Sequence, residues 1–234
     1  MIKLIAFDLD DTLAPTNKAT DKDSVELIRK IEKCGIKIAV CSGKPTFYLS
    51  GYLRQIGLDN PVLIGENGAV IQIGDALPPK KYCVLPCSEE ARKSLNLIKS
   101  LIDKKYPDIW YQPNEVVLTP FTENIEHHAY FDEILENFAD KIKDINVFKS
   151  FNAYDFLPKN INKKTALKHL KELINIDGNE ILSVGNSDND YPMFEYANYS
   201  IGINVPDITK VNRNYKTLKE ALLHIIEFLN LNIN

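Results

Sequence analysis

Phe7-Asp8-Leu9-Asp10-Asp11-Thr12-Leu13 follows an apolar run, Met1-Ile2-Lys3-Leu4-Ile5-Ala6, broken only by Lys3. Such a run reads as a strand buried on both faces, the usual state in a parallel sheet. The acids begin where that strand ends, and ligands of open parallel sheets bind at the carboxyl ends of the strands. Asp8, Asp10 and Asp11 repel one another unless a positive charge sits among them. A divalent cation met by carboxylate and carbonyl oxygens, with Mg²⁺ the best fit, answers that repulsion.

Outward from this loop the pattern repeats. Thr20-Asp21-Lys22-Asp23 caps a helix striped with Val25, Leu27, Ile28 and Ile31 and stopped by Gly35. Ile36 to Val40 reads as a second strand ending in Cys41-Ser42-Gly43-Lys44, and Pro45 opens a helix to about Ile56, closed by Gly57. Pro61 to Ile64 reads as a third strand, followed by Glu66-Asn67-Gly68. Strand, helix, strand, helix, strand predicts an α/β fold with a Rossmann-like parallel sheet.

The pattern then changes. Ala69 to Ile73 and Lys81 to Leu85 read as paired strands around a Gly/Pro-rich turn. Ser88 to Lys105 reads as a helix, Trp110 to Leu118 as a strand, Asn124 to Lys141 as a helix, and 145–149 with 154–157 as two more strands. Residues 83–155 are therefore expected to form a small α+β domain inserted into a core of 1–82 and 156–234. Trp110, Tyr111, Phe121, Tyr130 and Phe131 crowd it, mostly as its core. The α/β pattern resumes with a helix over 163–173 and a buried strand over 180–184. That strand ends in Gly185-Asn186-Ser187-Asp188-Asn189-Asp190, and a closing helix spans 218–229 with Leu222, Ile225, Ile226 and Leu229 on one face.

Composition narrows the function. The 234 residues are 44% hydrophobic with formal net charge -4, which gives no sign of nucleic-acid binding. No run approaches a membrane span and no signal-peptide pattern opens the chain. Cys34, Cys41, Cys83 and Cys87 form no CxxC pair and read as buried, reduced thiols of a cytoplasmic protein. His127-His128 lacks a partner cluster and reads as part of the 124–141 helix, with no metal-ligand role.

Three strands thus end in polar loops carrying Asp8/Asp10, Ser42 and Asn186/Asp188/Asp190, and Lys163-Lys164 opens the helix before the third. A hydroxyl and an ammonium beside carboxylates and Mg²⁺ suit a phosphoryl group. One carboxylate can take it as an aspartyl-phosphate and another can move the proton.

In this order the motifs resemble those of haloacid-dehalogenase (HAD) superfamily phosphatases, especially the small Cof-like and archaeal phosphoglycolate phosphatase-like members with a type-II cap. Asp8-Leu9-Asp10-Asp11-Thr12 matches DxDx[TV], Ser42-Gly43 the second motif, Lys163-Lys164-Thr165-Ala166-Leu167 the K-G-x-A-L segment, and Gly185 to Met193 GDxxNDxxM. The resemblance implies Asp8 as nucleophile, Asp10 as acid/base, and Ser42 and Lys163 as further catalytic groups. It also implies Leu9, Gly43, Lys44, Glu66, Asn67 and Asn189 around phosphate or substrate. Mg²⁺ is implied on Asp8, Asp10, Asn186 and Asp190. Two departures stand out. Lys164 replaces the usual glycine, so either lysine could fill the catalytic place. Asn186 replaces the usual acid, so either Asn186 or Asp188 could be the ligand. The implied activity is hydrolysis of a small phosphorylated metabolite, such as a sugar phosphate or phosphoglycolate, by a monomer or homodimer without nucleic-acid or membrane partners. The alternatives are a phosphomannomutase-like phosphomutase, a receiver-type phospho-acceptor, disfavoured by length, and a catalytically weakened binding protein. A dinucleotide-binding Rossmann protein is disfavoured, since no G-x-G-x-x-G follows the first strand.

Overall fold

The computed structural model describes residues 1–233. The described chain divides into two compact units, residues 1–83 with 162–233 and residues 84–161.

The first unit is built on an eight-stranded sheet. In chain order its strands are β1 (Leu4–Asp8), β2 (Lys37–Cys41), β3 (Val62–Gly65), β4 (Val70–Ile73), β5 (Lys81–Val84), β10 (Ile181–Gly185), β11 (Tyr199–Ile203) and β12 (Arg213–Tyr215). They lie in the order β12-β11-β10-β1-β2-β3-β4-β5. From β12 to β3 all pairings are parallel; β4 returns antiparallel along β3 through the tight turn at Glu66–Gly68. The sheet is thus mostly parallel, as the alternation predicts, and it gains an antiparallel edge. β12 has no counterpart in the sequence reading, because its residues are polar and an edge strand of this kind carries no apolar run.

Every residue of β1 is buried. Ile5 and Phe7 join one apolar cluster with Ile28 and Ile31 of α1 (Lys22–Lys33), Leu49 and Leu53 of α2 (Thr46–Ile56), and Leu222 and Ile225 of α7 (Leu218–Phe228). Leu4 and Ala6 alternate to the opposite face. There α5 (Lys163–Ile174) packs on α6 (Tyr191–Tyr196), and α6 lies on β10 and β11. Local signals fix the helix ends. The Asp21 carboxylate accepts from Ser24 N at the start of α1, and Gly57 ends α2 in the left-handed region at φ 74°. Asn162 and Thr165 form a reciprocal capping box that makes Lys163 the first residue of α5.

The second unit pairs β6 (Trp110–Tyr111) with β7 (Pro120–Phe121) and β8 (Ile145–Lys149) with β9 (Tyr154–Pro158), all antiparallel. Bridges Leu118–Phe156 and Phe121–Ala153 set the first hairpin beside β9. Helices α3 (Glu89–Lys105) and α4 (Ile125–Asn137) bury Leu95, Ile98, Ile102, Phe131 and Ile134 against Tyr154 and Phe156. The long strand expected over 110–118 stops at Tyr111. Pro113 has no N–H to give a ladder, and Asn114 N donates back to Gln112 O. The helix expected to reach Lys141 stops at Asn137, where Phe138 leaves helical geometry and packs with Ile142 on the unit's core. Exposure corrects the reading of the cysteines as buried: Cys41 is buried, but Cys83 and Cys87 are half-buried and Cys34 is exposed. Trp110 is the exposed member of an aromatic group that otherwise mostly packs in the core. No helix among the described residues is long and apolar enough to cross a membrane.

Candidate active site

β10, β1, β2 and β3 are parallel neighbours, so their carboxyl ends share one edge of the sheet. Asp8 is the last residue of β1 and pairs in register with Cys41, the last of β2. Ser42 follows Cys41, Glu66 follows β3 and Asn186 follows β10.

The centre is a buried triad of charges. Lys163 Nζ lies 2.6 Å from Asp8 Oδ1 and 2.5 Å from Asp190 Oδ1. Lys163 is 1% exposed, whereas Lys164 pairs at the surface with Glu195. The capping box puts these adjacent lysines about 100° apart around the helix, and only the first reaches inward. Asp190 Oδ2 accepts from the backbone N–H groups of Asn186 and Ser187 at 2.8 and 3.1 Å. Gly185 makes room for this carboxylate, since a Cβ there would lie 2.5 Å from Asp190 Cγ.

A lysine at hydrogen-bond distance ordinarily lowers a carboxyl pKa. At Asp8 burial outweighs Lys163 and, with Asp190 and Asp10 adding repulsion, pushes the carboxyl up to about 7. For Lys163 burial disfavours the charge, but the two carboxylates overcome it and hold the pKa above its ordinary value. Burial also pushes the neighbouring Cys41 thiol up to about 12, which keeps it an unreactive thiol.

The loop after β1 folds back on itself. Leu9 O accepts from Thr12 N and Ala14 N, and Asp11 N donates to Ala14 O. The Asp10 carbonyl accepts from no donor among the described residues. Asp11, at φ 58°, spends its carboxylate on Thr16 N and Oγ1 and so closes the loop. Asp10 Oδ2 lies 3.5 Å from Lys44 Nζ.

Ser42 is anchored from both sides. Its Oγ accepts from Lys44 N at 3.1 Å, and its carbonyl accepts from Asn67 N at 2.9 Å. Glu66 and Asn67 both adopt left-handed backbone, φ 54° and 55°, and both are buried. Asn67 Oδ1 in turn accepts from Asn189 Nδ2 at 3.4 Å. Gly43 flanks this junction, half-buried. Contacts therefore link Asp8, Lys163, Asp190 and Asn186 in one chain and Ser42, Asn67 and Asn189 in another.

Of the two candidates after β10, Asn186 faces the first loop: Thr12 Oγ1 donates to Asn186 Oδ1 at 3.2 Å. Asp188 is exposed in the following turn. Among the described residues no three His, Cys, Asp or Glu side chains cluster as a metal centre. A cation would rely on Asp8 together with the Asp10 carbonyl and the Asn186 amide oxygen. These are all hard oxygen donors, and few in number, which suits a Mg²⁺ that keeps several waters. Asp190 already accepts three hydrogen bonds and serves better as the group that orients Lys163 and Asn186.

Residues 5–117 and 87–207 match the family model for haloacid dehalogenase-like hydrolases. This chain belongs to the haloacid dehalogenase-like hydrolase family. The phosphoglycolate phosphatase of Thermoplasma volcanium is 30% identical over 197 residues, covering 83% of this chain and 82% of that protein. The crystal structure of Thermoplasma acidophilum 0175 matches 99% of this chain and 100% of its own, with TM-score 0.77 and 22% identity. That of BT4131, a HAD subclass IIB sugar phosphatase, covers 98% and 100%, with TM-score 0.74 and 16% identity. At these identities the two structures establish a shared fold.

Sequence reasoning about this hydrolase gave no role to Thr12 or Asn162. Thr12 closes the first motif and Asn162 stands just before the lysine pair. Thr12 had only its place in the first motif as a signal, whereas Asn162, an Asn just before a helix, is a helix-cap type of residue.

Proposed function

We propose that this hydrolase is a Mg²⁺-dependent phosphatase that cleaves small phosphorylated metabolites, of the phosphoglycolate or sugar phosphate type, through an aspartyl-phosphate on Asp8. One observation carries the reading. Asp8 is buried at the end of β1, with Oδ1 held 2.6 Å from the Nζ of buried Lys163. The names of the similar proteins, phosphoglycolate phosphatase and sugar phosphatase, support the substrate class.

In the first half-reaction Asp8 Oδ2 bonds to phosphorus as the ester P–O bond breaks. Asp10 gives its proton to the leaving oxygen. In the second, Asp10 takes a proton from water, whose oxygen bonds to phosphorus. The Asp8–phosphorus bond breaks, inorganic phosphate leaves and the Asp8 carboxylate is restored. Ser42 donates its hydroxyl to a non-bridging oxygen, and Lys163 fixes the Asp8 rotamer. Lys44 holds the Asp10 carboxylate in place. Asp8, the Asp10 carbonyl and Asn186 would hold Mg²⁺, which would supply positive charge for the phosphoryl oxygens.

Phosphate release from a panel of phosphoglycolate, hexose phosphates and an aryl phosphate, with Mg²⁺ or with excess chelator, tests the proposal. Release with Mg²⁺ and loss with chelator are expected. No release from any compound, or full activity in chelator, contradicts it. Conversion of a hexose phosphate to an isomer without free phosphate would point to a mutase.

A further inference from the structure

Asn186 is an amide, and an amide has two unlike ends. Only the oxygen can bind a cation; the NH₂ group repels one. A carboxylate at this position would need no choice of orientation. The backbone of residue 186 is fixed because its N–H donates to Asp190 Oδ2 at 2.8 Å. The far end of the side chain meets Thr12, whose Oγ1 lies 3.2 Å from Asn186 Oδ1. Thr12 is 4% exposed and is itself fixed, its N–H donating to Leu9 O at 3.3 Å.

We propose that Thr12 is a positioning residue for Mg²⁺: its hydroxyl turns the Asn186 amide so that the oxygen faces the loop bearing Asp8 and Asp10. The inference rests on the Mg²⁺ reading above. A carbonyl oxygen has two lone pairs, so accepting from Thr12 leaves one for the cation. The fold-back that fixes Thr12 also leaves the Asp10 carbonyl without a donor, so one turn prepares two of the three protein oxygens. A hydroxyl that substitutes for the symmetry of a carboxylate explains how the neutral residue still serves.

The test is calorimetric titration of Mg²⁺ into the full chain, compared across Thr12→Val, Thr12→Ser, Asn186→Asp and the double variant Thr12→Val/Asn186→Asp. Thr12→Val is expected to weaken binding about tenfold, the usual cost of losing a group that orients a ligand. Thr12→Ser keeps the hydroxyl and should bind as the native chain does. In the Asn186→Asp background Thr12→Val should cost much less, because both ends of a carboxylate are oxygen. Circular dichroism checks folding, and Thr12→Ala replaces Thr12→Val if valine is not accommodated. Native-like binding by Thr12→Val, failure of Thr12→Ser to restore it, or equal losses in both backgrounds overturns the proposal. A native chain that binds no Mg²⁺ overturns the metal reading itself.

Discussion

Lys163 Nζ lies 2.6 Å from Asp8 Oδ1 across 155 positions of sequence, and the same nitrogen holds Asp190. The lysine is what lets two carboxylates stay together out of water. Removing it in Lys163→Ala leaves an uncompensated buried charge, expected to destabilise the fold by about 3–5 kcal/mol and to abolish turnover. Lys164→Ala removes only a surface pair with Glu195 and should change stability by no more than about 0.5 kcal/mol. Urea unfolding and phosphate release on both variants check this. Equal effects would mean that the two lysines have been assigned wrongly.

Protonation of Asp8 links the site to stability. Its carboxyl is raised from 3.8 to about 7 in the folded chain. Between those values the native state binds more protons than the unfolded one, so this group's contribution is complete below about 4 and is lost as pH rises through about 7. Asp8→Asn removes that loss. Without Mg²⁺, the variant should be more stable than the native chain at pH 8, by on the order of 1–4 kcal/mol. The advantage should fade by pH 5. Denaturant unfolding at both pH values reads this directly, and a variant less stable at pH 8 would show that Lys163 outweighs burial.

Gly185 sets the position of the Asp190 carboxylate, because a Cβ there would approach its Cγ to 2.5 Å. Gly185→Ala should displace Asp190 from Lys163, cost about 1–3 kcal/mol by overpacking and lower kcat more than it raises KM. Unchanged kinetics would show that the carboxylate can move without consequence.

Much of this was legible beforehand, and for definable reasons. Asp8, Ser42 and Asn186 each follow a short apolar run, and such runs in alternation with helices place their ends on one sheet edge. The choice between Lys163 and Lys164 was not legible, because both are lysines at a helix start; it is made by where Asn162 caps α5. Asp11 looked like one more acid of the cluster, yet its carboxylate serves Thr16. The pairing of Thr12 with Asn186 spans 174 positions and follows from no local pattern. Pro113 and the polar network of Gln112, Asn114 and Thr119 broke a strand that β-propensity alone extends to Leu118.

Asp10 as proton donor has its own signature. Asp10→Asn should slow hydrolysis of alkyl phosphates, whose leaving oxygens need the proton, by about 10²–10⁴-fold. An aryl phosphate with a stable leaving anion should suffer far less. Equal losses on both, measured as kcat/KM, would remove the acid role.

The central claim is that the phosphoryl group passes through Asp8. Rapid acid quench during turnover of an aryl phosphate, followed by mass spectrometry of the peptide containing Asp8, measures this step. The account expects a phosphorylated Asp8 peptide that forms and decays within turnover and is absent from Asp8→Asn. Steady phosphate release with no phosphoryl group on Asp8, or with the group on another residue, would contradict it.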